Sequence, residues 1–239
     1  MSKFHVLKPA VYIENVPSTE FAMRKLELYT RLCYKSEGKS KGTLADAIEF
    51  VKRIFHTNKH RGIIEHMFVT VRFITDRGIT HEIVRHRMAS FLQESTRYVD
   101  YAGKGVGFIL PPWVRLPDAS CPRWAKYIRR CRTSVANYLE ARDEGETPQE
   151  ARYWLSNGIK TEIVMTANLG SWHNFFDKRC HKSAHPQVRQ LALPLLTYFK
   201  EHFPGIFDDI ETPTVDFELA TVVEHLDFEA IEPEYIFEE

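Results

Sequence analysis

Hydrophobic and polar positions along the chain switch between two periods, and the switches mark out the elements. Residues 4–13 read as a first strand. Ser18 and Thr19 are suited to cap a helix that runs to about Cys33, where Phe21, Met23, Leu26, Leu28 and Leu32 form a loose apolar stripe. After a polar loop over 35–42, Thr43 opens a clearer amphipathic helix with Leu44, Ala47, Ile48, Val51 and Ile54 on one side. Residues 66–75 alternate with period two: Phe68, Thr70, Arg72 and Ile74 face one way, Met67, Val69, Val71 and Phe73 the other. Asp76 and Thr80 are candidate caps of a short helix through Arg85. The stretch 88–95 is polar and irregular, whereas 96–101 and 106–110 pattern as strands.

The second half alternates less cleanly. Residues 117–145 predict a helix rich in aromatic and arginine side chains, and Thr147-Pro148 begins another, since proline suits a first helical turn. Residues 159–167 are β-branched and strand-like between helical neighbours, and 169–180 and 186–203 predict helices. No βαβ rhythm and no internal repeat emerges, so the expected fold is α+β, a single domain over 1–239 with mixed sheet and helices.

Composition narrows the function classes. A hydrophobic share of 44% and a charged share of 27% are those of an ordinary globular chain with a sizeable core. The formal net charge is zero, which argues against a dedicated nucleic-acid binder. Charge is nevertheless uneven: Arg85, Arg87 and Arg97 share one stretch, and 224–239 is acidic. The four cysteines (Cys33, Cys121, Cys131 and Cys180) form no CxxC pair, which fits a reducing compartment better than a disulfide framework. The first residues hold no apolar signal core and no run is long enough to span a bilayer, so a cytoplasmic protein with no membrane partner is expected.

The richest stretch chemically runs from Arg85-His86-Arg87 through Gln93, Glu94, Ser95 and Thr96 to Arg97 and Tyr98. Guanidinium groups present planar forks of donors suited to phosphate and carbonyl oxygens, and the hydroxyls add short donors. The plain alternative is a solvated helix end with a basic surface patch. Arg-His-Arg followed by seven residues and a serine resembles the signature of flavin-dependent thymidylate synthases. The resemblance extends to His60-Arg61-Gly62-Ile63-Ile64-Glu65-His66, to Ala151-Arg152, to the run from Thr161 to Asn168, and to Asn174-Phe175-Phe176 with Arg179. These ordered blocks span 60–187, about half the chain.

The resemblance implies FAD as cofactor, NADPH and methylenetetrahydrofolate as co-substrates, and dUMP as the nucleotide converted to dTMP. It implies FAD contacts from His60, Gly62, Glu65, Arg85, His86, Arg87, Gln93, Asn168, Gly170 and Asn174. It implies dUMP contacts from Glu82, Arg85, Gln93, Glu94, Ser95, Thr96, Arg97, Arg152 and Arg179, with Arg179 against the uracil as the catalytic cation. A homotetramer is implied too, with sites between subunits at which signature residues of one chain meet Arg152 or Arg179 of another. Four positions depart from the family pattern: Leu92, Gln93, Gly170 in place of a frequent arginine, and Glu82 where some relatives have glutamine. A glutamate at 82 leaves the backbone rather than the side chain as its means of contact with a phosphate.

Singly, these residues have plainer readings. Glu65 would serve as an ion-pair partner of Arg85 or Arg61, Asn168 and Asn174 as helix caps, and Arg152 and Arg179 as surface arginines. Other patterns carry less. His81 and His86 stand five apart, not the four that places two zinc ligands on one helix face, and Cys180, His181 and His185 lack a further ligand pair, so no metal is expected. The glycines at 103, 105 and 107 lead into an apolar strand rather than a helix and read as a turn, so any flavin is bound without a Rossmann fold. Cys121 lies in Ser-Cys-Pro-Arg, and Ser95 lacks an activating base, so no enzyme nucleophile on the uracil is expected.

Overall fold

The computed structural model describes residues 4–115, 122–227, 229–231 and 235–238. In chain order they form β1 (Phe4–Leu7), β2 (Ala10–Asn15), α1 (Thr19–Cys33), α2 (Leu44–Lys52), β3 (Phe68–Asp76), α3 (Arg77–Ile83), β4 (Ala89–Gln93), α4 (Tyr101–Lys104) and β5 (Val106–Ile109). There follow α5 (Pro122–Asp143), α6 (Pro148–Ala151), β6 (Lys160–Asn168), α7 (Leu169–Arg179), α8 (Pro186–His202), β7 (Thr221–Glu224) and β8 (Tyr235–Glu238). Five strands make one sheet in the order β4-β6-β3-β2-β7, and three make another in the order β5-β1-β8. Both are mixed: β2 runs antiparallel to β3 but parallel to β7, and β1 runs parallel to β5 but antiparallel to β8.

Strands β3 and β6 lie inside the larger sheet, each paired along both edges. Nine residue pairs join them, from Phe68 opposite Asn168 to Asp76 opposite Lys160. Val69, Val71 and Phe73 on β3, with Thr161, Ile163, Met165 and Ala167 on β6, turn to one face and are buried. On that face pack Met23 and Leu26 of α1, Val51 of α2, Trp172, Phe175 and Phe176 of α7, and Leu196 and Phe199 of α8. A one-residue slip would put the whole apolar set into water, so register is fixed by burial. A second core unites Phe4, Val6, Val106 and Phe108 of the small sheet with Ile128, Cys131, Val135 and Tyr138 of α5.

Helix starts follow the capping residues. Ser18 accepts from the Phe21 N–H, Thr43 from Asp46, Asp76 from Ile79 and Asn168 from Ser171. Each satisfies one of the backbone donors a helix leaves orphaned at its start.

The structure corrects four expectations. Residues 4–13 are not one strand: the chain breaks at Lys8-Pro9, and β1 and β2 belong to different sheets. Proline lacks the N–H that a continuous ladder needs. Residues 88–95 are not irregular, because Ala89–Gln93 pairs antiparallel with β6 from Ala167 to Ile163. Pairing partners override the weak strand propensity of that segment. Residues 96–101 are not a strand: Val99 N–H donates to the Ser95 carbonyl in a turn, and Asp100 caps the short α4. Helix α3 ends at Ile83, so Arg85 follows it in a turn. The expected helix over 117–145 is present as α5, and both its expected first residues and Cys121 lie outside the described residues.

Candidate active site

The signature segment is the link between α3 and β4. His86 N–H donates to the Ile83 carbonyl, which closes the helix end and turns the imidazole inward. Arg85 and Arg87 on either side stay exposed while His86 is buried. Met88 next takes a left-handed backbone, φ 59°, unusual outside glycine. The Ser171 hydroxyl donates to its carbonyl at 3.2 Å and so ties this turn to the start of α7.

Helix α7 supplies the opposite wall. Asn168, Ser171, Asn174 and Lys178 lie on one side of it, and Leu169, Trp172, Phe175 and Phe176 are buried on the other. Together the two segments and Glu65 line a cavity of about 580 Å³ that includes Arg85, His86, Arg87, Asn168, Gly170, Asn174 and Arg179. That size lies within the range of ligand sites, ~300–1,000 Å³. Gly170 is close-packed: a Cβ there would come 3.1 Å from Glu65 Cγ and 3.3 Å from Asn168 Oδ1. Glycine thus lets the Glu65 stem lie against the first turn of α7, the place a larger side chain would take. His173 does not replace the missing cation, since it turns away to Asp209 at 2.9 Å and stacks on Phe207.

At the inner end of the cavity Arg179 is held at three points. Its Nε donates to His86 Nε2 at 2.9 Å, one terminal nitrogen donates to Glu82 Oε2 at 2.7 Å, and the other to the Glu82 main-chain oxygen at 2.8 Å. His86 must accept from Arg179, so its Nε2 carries no proton and its Nδ1 does. Burial, and then the Arg179 charge, pushes His86 from the ordinary 6.5 down to about 4. The unfolded chain therefore binds the extra proton between these two values, and stability present above 6.5 is lost as pH falls through the window. Urea midpoints should show the wild type losing up to ~2 kcal/mol between pH 7 and pH 5 through this group, a loss that His86→Gln should remove.

The remaining expected residues lie elsewhere. Arg152 donates to Thr96 Oγ1 at 3.2 Å, and the Arg97 N–H donates to the Ser95 hydroxyl, so these four form a second cluster. Gln93 binds Thr80 and Thr161 through its amide, and Glu94 turns to Tyr101 and Lys160. Gln93 and Glu94 line a separate cavity, of about 770 Å³, between the two sheets. His60 stacks on Tyr34, whose hydroxyl shares a 2.7 Å hydrogen bond with its Nδ1. Gly62 lies in the 3-10 turn Arg61–His66, and Arg61 pairs with Asp209 rather than with Glu65. Asn168 proves to be both a cap and a cavity residue. Arg179 joins the signature residues of its own chain.

Met88, Ser171 and Lys178 line the cavity without having been singled out in the sequence. The polar stripe at helical spacing on α7 would have found Ser171 and Lys178, because residues three and four apart share a helix face. Among the described residues no group of three or more His, Cys, Asp and Glu side chains is placed to hold a metal. Burial pushes the Cys180 thiol up to about 12, and His185 caps α8.

The arrangement suits a large anionic ligand with planar parts: several cations and the start of a helix line a groove beside a neutral, buried imidazole. The protein family described as thymidylate synthase complementing protein matches residues 16–205. The chain belongs to the flavin-dependent thymidylate synthase family.

A flavin-dependent thymidylate synthase of Geobacter sulfurreducens is 30% identical over 202 residues, covering 82% of this chain and 84% of that protein. The enzyme of the same name from Mycobacteroides abscessus is 28% identical over 204 residues, with 80% of each covered. The fold matches thymidylate synthase X of Helicobacter pylori, solved with FAD and dUMP, at a TM-score of 0.67 and 20% identity over 84% of this chain and 98% of that one. It also matches the UMP/dUMP methylase PolB of Streptomyces cacaoi, bound with 5-Br dUMP, at a TM-score of 0.70 and 16% identity over 85% of this chain and 95% of that one. Both likenesses support the mixed α+β architecture. Among the described residues no helix is long and apolar enough to cross a membrane.

Proposed function

We propose that this chain is a working thymidylate synthase that makes dTMP from dUMP, with methylenetetrahydrofolate as one-carbon donor, NADPH as reductant and FAD as cofactor. The observation that carries the reading is the single cavity in which Arg85-His86-Arg87, Asn168, Gly170, Asn174 and Arg179 converge. FAD, when held there, supplies the redox chemistry between the nicotinamide and the one-carbon unit; the protein supplies binding, orientation and electrostatics. Arg85 and Arg87 present exposed forks to phosphate oxygens, and the α7 N-terminus adds its backbone donors. Neutral His86 holds Arg179 without adding a charge beside it. Arg179 faces the uracil and favours negative charge on the ring as its carbon 5 becomes nucleophilic. Ser95, Thr96, Arg97 and Arg152 bind the dUMP phosphate.

That phosphate cluster and the cavity do not share a wall within one chain, which fits a homotetramer with sites between subunits. Exposed apolar side chains support such an assembly: Met88 is 80% exposed, Leu92 76%, Tyr98 81% and Tyr153 82%, all in site-bearing segments. Association between copies would cover these side chains. We read the whole chain as one domain of that assembly, working in the cytoplasm.

Purified protein supplied with dUMP, NADPH and methylenetetrahydrofolate should form dTMP, and formation should stop when flavin is stripped. Arg87→Ala should lower flavin affinity by ~10-fold or more, the scale of one charge-assisted contact, measured as flavin retained on gel filtration. Full retention by that variant would place the flavin elsewhere.

A further inference from the structure

We infer that Glu82 is a positioning residue that fixes the Arg179 guanidinium in its working orientation, an inference that rests on the proposed role of Arg179. Arginine carries five N–H donors in one plane. Three are used here, one on each nitrogen: Nε to His86 at 2.9 Å, and the two terminal nitrogens to the carboxylate and the carbonyl of Glu82 at 2.7 and 2.8 Å. With every nitrogen anchored, the group can neither rotate nor withdraw along its flexible stem. One N–H remains on each terminal nitrogen to meet a ligand. The Arg179 side chain is 18% exposed and lines the cavity, so this plane is available to the cavity without any bond breaking.

One residue provides two of the three anchors, and it does so because of where α3 ends. Ile83 is buried, and the chain turns at Val84. Glu82 thus brings its main-chain oxygen and its side chain to the same guanidinium. The charge of the pair has a second consequence. Arg85, Arg87 and Lys178 line the same cavity, and the Glu82 carboxylate offsets one of four neighbouring cations. Glu82 does not itself face a phosphate; its carboxylate is already committed to Arg179.

Two variants separate geometry from charge. Glu82→Gln keeps an acceptor oxygen at the same reach and removes the charge. Glu82→Asp keeps the charge and draws the acceptor back by one methylene. Positioning predicts that Glu82→Gln holds kcat within ~3-fold of wild type, whereas Glu82→Asp lowers it by ~10- to 100-fold, the scale set by a ~1 Å misplacement, with KM for dUMP little changed.

The second readout needs no turnover. In arginine-labelled protein the Arg179 Nε–H, assigned by its absence in Arg179→Lys, should exchange slowly with solvent in wild type and in Glu82→Gln. In Glu82→Asp it should exchange at least ~10-fold faster, because a guanidinium no longer held by the carboxylate opens its Nε bond to His86 more often. Glu82→Asp with wild-type exchange and wild-type kcat overturns the inference, and so does Glu82→Gln losing as much as Glu82→Asp. A wild type that makes no dTMP while its exchange follows the predicted order refutes the role given to Arg179 and leaves its anchoring by Glu82 standing.

Discussion

Replacement of Arg179 by alanine is expected to lower kcat by ~10²–10³ while leaving the protein folded, the loss typical of removing one preorganised donor from developing charge. The reasoning is local. Arg179 is the last residue of α7, partly exposed, and among the described residues its side chain bonds to Glu82 and His86. Its side chain belongs to the cavity lining rather than to the apolar core. Its removal should also let His86 titrate closer to 6.5, since the Arg179 charge is the second cause of its depression. A steady-state assay with an imidazole titration by NMR checks both effects. Near-normal turnover in the variant would remove Arg179 from the chemistry.

Trp172→Ala should have the largest effect on stability, a loss of ~3–5 kcal/mol, as for large-to-small changes of aromatic core residues. Trp172 is fully buried, with ring centroids of Phe175, Phe176 and Phe199 at 5.4, 5.9 and 5.3 Å. Its indole N–H donates to the Val69 carbonyl at 3.2 Å, so truncation leaves both a cavity and a buried acceptor without its donor. The residue anchors α7 to β3, and α7 carries Gly170, Asn174 and Arg179. Destabilisation and loss of flavin should therefore appear together. Trp172→Phe, which keeps a ring and loses the donor, should lose less than half as much in urea unfolding. A loss below ~1 kcal/mol for the alanine variant would contradict this packing.

The helices were legible because their signals are local. Ser18, Thr43, Asp76 and Asn168 cap the helices they precede, and the period-two alternation around Phe68 to Phe73 gives β3 its buried face. Where strand formation depends on a distant partner, the sequence misleads. Ala89–Gln93 is a strand because β6 is beside it, and the β-branched and aromatic residues of 96–101 form a turn because Asp100 caps α4 and Glu94 is drawn to Tyr101 and Lys160. Strand β8 lies in the acidic tail and β7 just before it, and both are four-residue strands whose pairing with β1 and β2 depends on distant partners.

The site shows the same division. Motif resemblance gathers Arg85, His86, Arg87, Asn168, Asn174 and Arg179, and the fold brings them to one cavity. It does not reveal that Glu82 is bound to Arg179, nor that Glu94 turns between the sheets, because these depend on how α3, α7 and β6 meet. Gly170 illustrates the point in one residue. The sequence shows a missing cation, and the structure shows Glu65 packed where its side chain would begin.

The most direct test of the central claim is release of tritium from dUMP labelled at carbon 5, with FAD, NADPH and methylenetetrahydrofolate each omitted in turn. Replacing the hydrogen at carbon 5 by the one-carbon unit must free that tritium, so release that requires all three additions is the predicted result. A protein that binds dUMP and flavin yet releases no tritium with all three present would contradict the account and identify the chain as a binding relative without synthase activity.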